Sequence, residues 1–533
     1  MALILLWAAT APAADYYLDS AAGDDAASGA TAGAPWRTLA PLRSVVLSPG
    51  DVVHFKRGGD WSGGLTVRQS GAEGLPILLT AYGDGPAPIL RSDGGDWSSV
   101  IRLEGDWVVL DGLSLRDAYE AGVLIAAGSD HNVVRNCDIT ATGFGVWLGG
   151  RNNLVTGCHL HDLHMIRNTP GGDDDYGAVG VVISNFGNDV LANRMTDCLA
   201  PSYDYGTDGG AVEWWCDGVD AGGSRVQYNT VERCNGLMEI GGANWGTCHD
   251  VTVSHNLVID SGLAALHVAD AFGGVDLEGF RFEHNTVVNR IGGWRLFWWD
   301  HAPRPQAVVV RNNIFVSNIR VYEGAGASHA SNLYQFLAGG SLGDAMGEGE
   351  STADPMFLNA PAGDFRLAHG SPAIDQGLAL GYLRDHDGLA VPFGPAPDLG
   401  AFELWGILGD FNCDGAVTHG DYTIWADSFG RSIASVQAEH PGWFPSGSYP
   451  PGATTVTQGL YTTWADHFGD VSMAVSQFDG AEAWVVPAAM QPLGPKPSRA
   501  AARAIRIQSC REVRLQRAAE RQARRQAAVR ARQ

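Results

Sequence analysis

Two short patterns alternate through the middle of this 533-residue chain, and together they leave few folds open. The first is an apolar strand closed by an asparagine: "VVRN" (133–136), "VLAN" (190–193), "VQYN" (226–229), "VSHN" (253–256), "FEHN" (282–285) and "VRNN" (310–313). The second is a short alternating strand: "GVLI" (122–125), "GVWL" (145–148), "GVVI" (180–183), "AVEW" (211–214), "LMEI" (237–240), "ALHV" (265–268) and "RLFW" (295–298). A unit of this length cannot bury its apolar side alone, so successive units must stack and place equivalent residues in ladders about 4.8 Å apart. Asn136, Asn193, Asn229, Asn256, Asn285 and Asn313 are then expected to form one internal ladder, their amides bonding the turns above and below. Abundant glycine (70 residues) and a charged fraction of only 18% suit such a turn-rich all-β chain.

Stacked coils of this kind resemble a right-handed parallel β-helix, the architecture of many secreted polysaccharide lyases and hydrolases. The run "YYLDSAAGDDAASGATAGAPWRTL" (16–39) resembles the opening segment of such proteins, and "SPAIDQG…PDLGAFEL" (371–404) their closing segment. The expected β-helix spans 15–405. The fold hosts many activities, so reaction must be read from a site. Two cysteine pairs, Cys137/Cys158 and Cys198/Cys234, fall in register as disulfides or as stacked free thiols.

In the second pattern the inward positions are apolar throughout. The outward position between them reads Leu124, Trp147, Val182, Glu213, Glu239, His267 and Phe297. Two carboxylates on adjacent rungs have backbones about 5 Å apart, so repulsion raises the proton affinity of one. A protonated acid beside an ionised carboxylate is what glycosidic bond cleavage requires, and side chains can splay from the retaining towards the inverting separation. Glu213 and Glu239 are the candidate acid/base or nucleophile pair, with His267 assisting. The loops ahead of these strands, "HDLHMIRNTPGGDDDYGA" (161–178) and "APSYDYGTDGGA" (200–211), each contain Asp-Tyr-Gly and should overhang the same face. They offer Asp175 and Asp208 as further catalytic carboxylates, or as oxygen ligands for a second Ca²⁺ in the cleft. Trp147, Trp215, Trp299, Tyr176 and Tyr205 are the candidate sugar platforms; Asp270, Asp300 and His301 would extend the groove.

Polysaccharide lyases of this architecture use Ca²⁺ and a basic residue to abstract a proton. Lysine occurs only at Lys56 and Lys496, outside the repeats, and arginines such as Arg167, Arg225 or Arg295 rarely deprotonate. Glycoside hydrolase therefore ranks first. A Ca²⁺-dependent lyase and a non-catalytic glycan-binding or adhesive solenoid are the alternatives.

After Trp405 the residues Asp410, Asn412, Asp414, Ala416, Thr418 and Asp421 occupy positions 1, 3, 5, 7, 9 and 12 of an EF-hand-type loop, with Gly415 at the sharp turn. The following "DYTIWADSFG" (421–430) returns as "LYTTWADHFG" (460–469). This duplication resembles a type I dockerin over 407–470, a small α-helical calcium module that docks on cohesin-like protein partners. The second copy has Tyr449, Pro451, Ala453 and Leu460 at the ligand positions, so one Ca²⁺ is expected. His419-Gly420 depart from the usual partner-recognition residues.

The net charge is −24, although 495–533 carries twelve Lys/Arg against two Glu, so the body is more acidic still. That excludes nucleic acid as a partner of the body. Residues 1–14 read as a secretory signal peptide, which with the resemblance implies a secreted bacterial protein; no later run has the ~18 apolar residues of a membrane span. Residues 471–533 read as a linker and a disordered basic tail.

Overall fold

The computed structural model describes residues 13–467 except 96, 173, 243–245, 263–264, 270–274, 294, 300–306, 324–325, 369, 405–408, 410, 412–416 and 441–453. Almost all of the signal-peptide reading, the basic tail, Asp270, Asp300 and His301 lie outside the described residues.

The chain winds as a parallel β-helix with three faces. The first face is a twelve-stranded sheet running in chain order from Asp15–Leu18 to Ser328–Ala330. Its inward residues stack like on like: Val134, Val155, Val190, Val226, Val253, Phe282 and Val310 are all fully buried. The second face holds strands such as His159–His161, Arg194–Thr196 and Thr230–Glu232. The third holds Val179–Ile183, Gly210–Trp215, Met238–Gly241, Leu266–Val268 and Arg295–Trp299. The long strands Ser114–Ile125 and Asp138–Leu148 turn from the second face into the third, the latter through a register shift between Thr142 and Phe144.

Between the first and second faces each coil turns through one residue in the left-handed region. These include Ala192, Tyr228, His255, His284 and Asn312, with φ of 54, 61, 54, 53 and 58°. Non-glycine residues adopt that conformation only when neighbours hold them there. The holding group is the asparagine that follows. The Oδ1 atoms of Asn229, Asn256, Asn285, Asn313 and Asn332 each accept the backbone N–H of the ladder asparagine one coil earlier, at 2.8–3.0 Å. Their Nδ2 groups donate to carbonyls such as Val190, Val226 and Val253.

The ladder expected from sequence needs correction at its start. Asn136 has φ 53° and is itself the left-handed turn residue, with Nδ2 donating outward to Asp111. Cys137 and Cys158 occupy the ladder position instead, and Cys158 N–H donates to Asn193 Oδ1 at 2.9 Å. Asparagine tolerates the left-handed region as well as it serves a ladder, which is why "VVRN" misaligns by one residue. The six described cysteines (137, 158, 198, 216, 234 and 248) are free and buried.

The opening segment packs with the first coil, and the C-terminal segment lies along the outside of the second face. Trp36, Leu39 and Leu42 pack under the first coil. Phe365, Leu367, Leu399, Ala401 and Phe402 cover Leu257, Ile259, Val288, Ile314 and Val316 on the outside of the second face. A small helical module follows, with helices His419–Ser428, Ile433–Glu439 and Gln458–His467 around Phe411, Ile424, Ile433, Val436, Val456 and Leu460.

Removing one ladder amide strands buried partners on the preceding coil. Asn256→Ala leaves Asn229 N–H and the Val226 carbonyl without their bonds, a loss of about 3 kcal/mol at 1–3 kcal/mol per buried unsatisfied group. Denaturant unfolding should show a lower midpoint at unchanged slope; an unchanged midpoint would mean that the ladder is dispensable.

Candidate active site

The third face sets a column of outward side chains by backbone register alone. Val182 pairs with Glu213, Glu213 with Glu239, Glu239 with His267, and His267 with Trp298. The inward residues on either side of the carboxylates, Val212, Trp214, Met238 and Ile240, are buried, so the strand alternation leaves the carboxylates facing out. His267 Nδ1 lies 3.1 Å from Glu239 Oε2. Its ring stacks on Trp298 with centroids 4.0 Å apart and planes 10° from parallel.

The last rung corrects the sequence reading. Phe297, expected outward, is fully buried in the core, and Trp298 holds the outward place. Trp299, expected as a platform, is also core, its Nε1–H donating to the Glu323 carbonyl. In "RLFWW" every residue is apolar after the arginine, so period-two alternation could not fix which aromatic points out. Trp298 is the site residue that the sequence reading missed; its rank beside His267 follows from strand pairing.

The two carboxylates sit in different surroundings. Glu213 is the register partner of Val182, which belongs to an apolar cluster with Ala121, Leu124, Phe144, Ile166 and Val179 on the outer face. Burial first, then the charges of Glu239 and Asp208, push the Glu213 carboxyl well above the usual carboxylate range. Glu239 is more open, with 42% of its side chain exposed against 12% for His267. Asp208 comes up to about 7, chiefly from burial and then from Glu239 and Asp175, although the Gly209 N–H donates to it at 2.7 Å. Asp208, Glu213 and Glu239 therefore act on one another electrostatically.

The rim residues are placed differently from expectation. Asp175 is buried and ties the two loops together: its Oδ1 accepts Thr169 N–H, and its Oδ2 accepts Ser202 Oγ–H and Asp204 N–H. Burial opposes ionisation there, but these donors hold the carboxyl below its usual value. With both oxygens so engaged it is a loop anchor rather than a free acid. Asp174, Asp175 and Asp204 bring carboxylate oxygens within 4.8 Å of one another, and Arg167 already pairs with Asp174. Trp147, Trp215 and Tyr176 are half-buried against the apolar cluster and build the wall beside Glu213 rather than a free platform. Tyr205, 50% exposed, stands at the tip of the hairpin Ala200–Ser202/Gly206–Asp208.

In the helical module Thr418 caps the helix His419–Ser428, with Asp421 completing a capping box. Asp421 is fully buried and faces back into the loop, accepting Phe411 N–H at 2.7 Å and Thr418 N–H at 2.8 Å. Asp410, Asn412, Asp414 and Ala416 lie outside the described residues.

Comparison with known proteins agrees with the coil over part of the chain. A family model described as a right-handed beta helix region matches residues 99–315. A stretch of 91 residues, 16% of the chain, is 34% identical to the lacto-N-biosidase of Bifidobacterium longum subsp. longum, and spans 6% of that protein's length. Among solved structures, a GH136 lacto-N-biosidase from Eubacterium ramulus aligns with TM-score 0.47 and 15% identity over 64% of this chain and 67% of its own. The pectate lyase Pel9A aligns with TM-score 0.46 and 16% identity over 74% of this chain and 97% of its own.

The raised Asp208 carboxyl has a consequence for stability. The folded chain binds this proton more tightly than the unfolded one, so its contribution is full below about 4 and is lost as pH rises towards about 7. Asp208→Asn should flatten that decline and gain a few kcal/mol on the wild type between those limits. Parallel stability profiles for the two proteins, measured by denaturant unfolding across that range, would contradict it.

Proposed function

We propose that this protein is a secreted glycoside hydrolase acting on a polysaccharide. The observation that carries the reading is the asymmetric carboxylate pair: Glu213 is desolvated on its apolar side, and Glu239 is open and bonded to His267. Pairs whose surroundings push their proton affinities apart mark the acid and its ionised partner. Glu213 is the proton donor to the leaving glycosidic oxygen. Glu239 is the nucleophile or general base, and His267, braced on Trp298, orients its carboxylate. Asp208 sets the charge around both. Lysine is absent from the repeats, which argues against a proton-abstracting lyase, and the stretch shared with a protein named lacto-N-biosidase supports hydrolysis.

The helical module is proposed to be dockerin-like and to bind one Ca²⁺ through Asp410, Asn412, Asp414, the Ala416 carbonyl, Thr418 and Asp421. The described part fits: a buried carboxylate at position 12 faces the loop, where the Phe411 N–H, the Thr418 N–H and the Thr418 hydroxyl donate to it. Ca²⁺ there would neutralise the loop carboxylates and fix the first helix for a cohesin-like partner. Export agrees with the apolar N-terminal run, and among the described residues no helix is long and apolar enough to cross a membrane.

Incubation with neutral and acidic polysaccharides should release reducing ends without the ultraviolet absorbance of unsaturated uronates. Glu213→Gln and Glu239→Gln should each lower turnover by about 10²–10⁴-fold. Absorbance rising with the reducing ends would make the protein a lyase; full activity in both variants would remove the glutamates from the chemistry. For the module, calorimetric titration of the full chain should show one Ca²⁺ fewer in Asp414→Ala than in the wild type. Equal stoichiometry would refute the loop assignment.

A further inference from the structure

Away from the carboxylate column, the outside of the second face carries a second cluster of ligand-type side chains. His159 and His161 stand two apart on one strand and therefore point to the same side, while Leu160 between them is fully buried. Asp138 is the register partner of His159 on the neighbouring strand. The closing segment covers this face further along the helix, from Thr230 onwards, but here all three residues keep partial access to solvent.

Each ring has one nitrogen anchored and the other turned inward to the cluster. His161 Nδ1 lies 2.6 Å from Asp162 Oδ2, and its Nε2 lies 3.1 Å from Asp138 Oδ1. His159 Nε2 lies 2.9 Å from Thr196 Oγ1, and its Nδ1 lies 3.8 Å from the same Asp138 oxygen. The rings stack with centroids 4.1 Å apart. Asp138 Oδ2 is taken by Arg116 and Ser114, which leaves Oδ1 for the cluster. One ligand atom from each of the three lies within 4.8 Å of the others.

That is the outline of a metal centre with its outer supports in place. Ligands about 2.0–2.2 Å from a tetrahedral ion are about 3.3–3.6 Å apart, close to the 3.1 and 3.8 Å separations here. A hydrogen bond from the distal ring nitrogen to a carboxylate or hydroxyl fixes the tautomer and aims the free lone pair, the part Asp162 plays for His161 and Thr196 for His159. We propose that Asp138, His159 and His161 form a site for a divalent first-row transition ion, Zn²⁺ being the ion that a two-imidazole, one-carboxylate set suits. Three protein ligands leave one position open to water. The site is separate from the proposed Ca²⁺ loop, whose ligands are hard oxygens.

The full chain, stripped of metal and held in excess Ca²⁺ to occupy oxygen-ligand sites, is titrated with Co²⁺ and followed by its visible ligand-field spectrum. Zn²⁺ affinity is measured in competition with a chromogenic chelator. The wild type should show a tetrahedral or five-coordinate Co²⁺ band that Zn²⁺ displaces. His161→Ala should lose the band, and Asp162→Asn, which leaves all three ligands in place, should weaken Zn²⁺ by about 10–100-fold. Absence of the band in the wild type, or Zn²⁺ bound as tightly by His161→Ala, would overturn the assignment.

Discussion

A stack of parallel coils has no hairpin turns to set strand register, and here buried asparagine amides take that role. Each ladder amide accepts from the backbone of one neighbouring coil and donates to carbonyls beside it, in a place where no water can substitute. The same bonds hold a left-handed turn residue that would otherwise be unfavourable at alanine, tyrosine or histidine. An uncompensated slip of one residue would strand the amides and turn the valine stack of the first face outward together. The coil is therefore locked by many small terms of one sign.

Once register is locked, the column on the third face follows without further instruction. Glu213, Glu239, His267 and Trp298 come from strands separated by long loops, yet they stand on successive rungs because their strands do. The loops then differentiate what the coil makes equivalent. Ile166 of the 161–178 loop packs with Leu124, Phe144 and Val182, the last being the register partner of Glu213, and Asp175 fastens that loop to the next one. A repetitive scaffold supplies the spacing, and irregular insertions supply the different exposure of two like residues.

The sequence disclosed the coil and the Glu213–Glu239–His267 alignment, because buried valines on alternate positions are a strong periodic signal. It failed wherever one residue type serves two roles. Asn136 reads as a ladder residue and is a turn residue; Trp299 reads as a platform and is core. Asp175 reads as a further catalytic carboxylate or calcium ligand, and its engagement by Thr169, Ser202 and Asp204 depends on how two insertions meet, which no local pattern encodes. The Asp138–His159–His161 cluster was likewise invisible, since Asp138 reaches the histidines only through coil pairing.

The central claim is that burial first, and then the charges of Glu239 and Asp208, raise the proton affinity of Glu213. Carbon-13 labelling of glutamate carboxyls, with assignment through Glu213→Gln, allows its titration to be followed directly. The account predicts that Glu213 titrates above the ordinary carboxylate range, and that its proton affinity falls in Glu239→Gln as the neighbouring charge is removed. Titration of Glu213 in the ordinary carboxylate range, unmoved by Glu239→Gln, would contradict it.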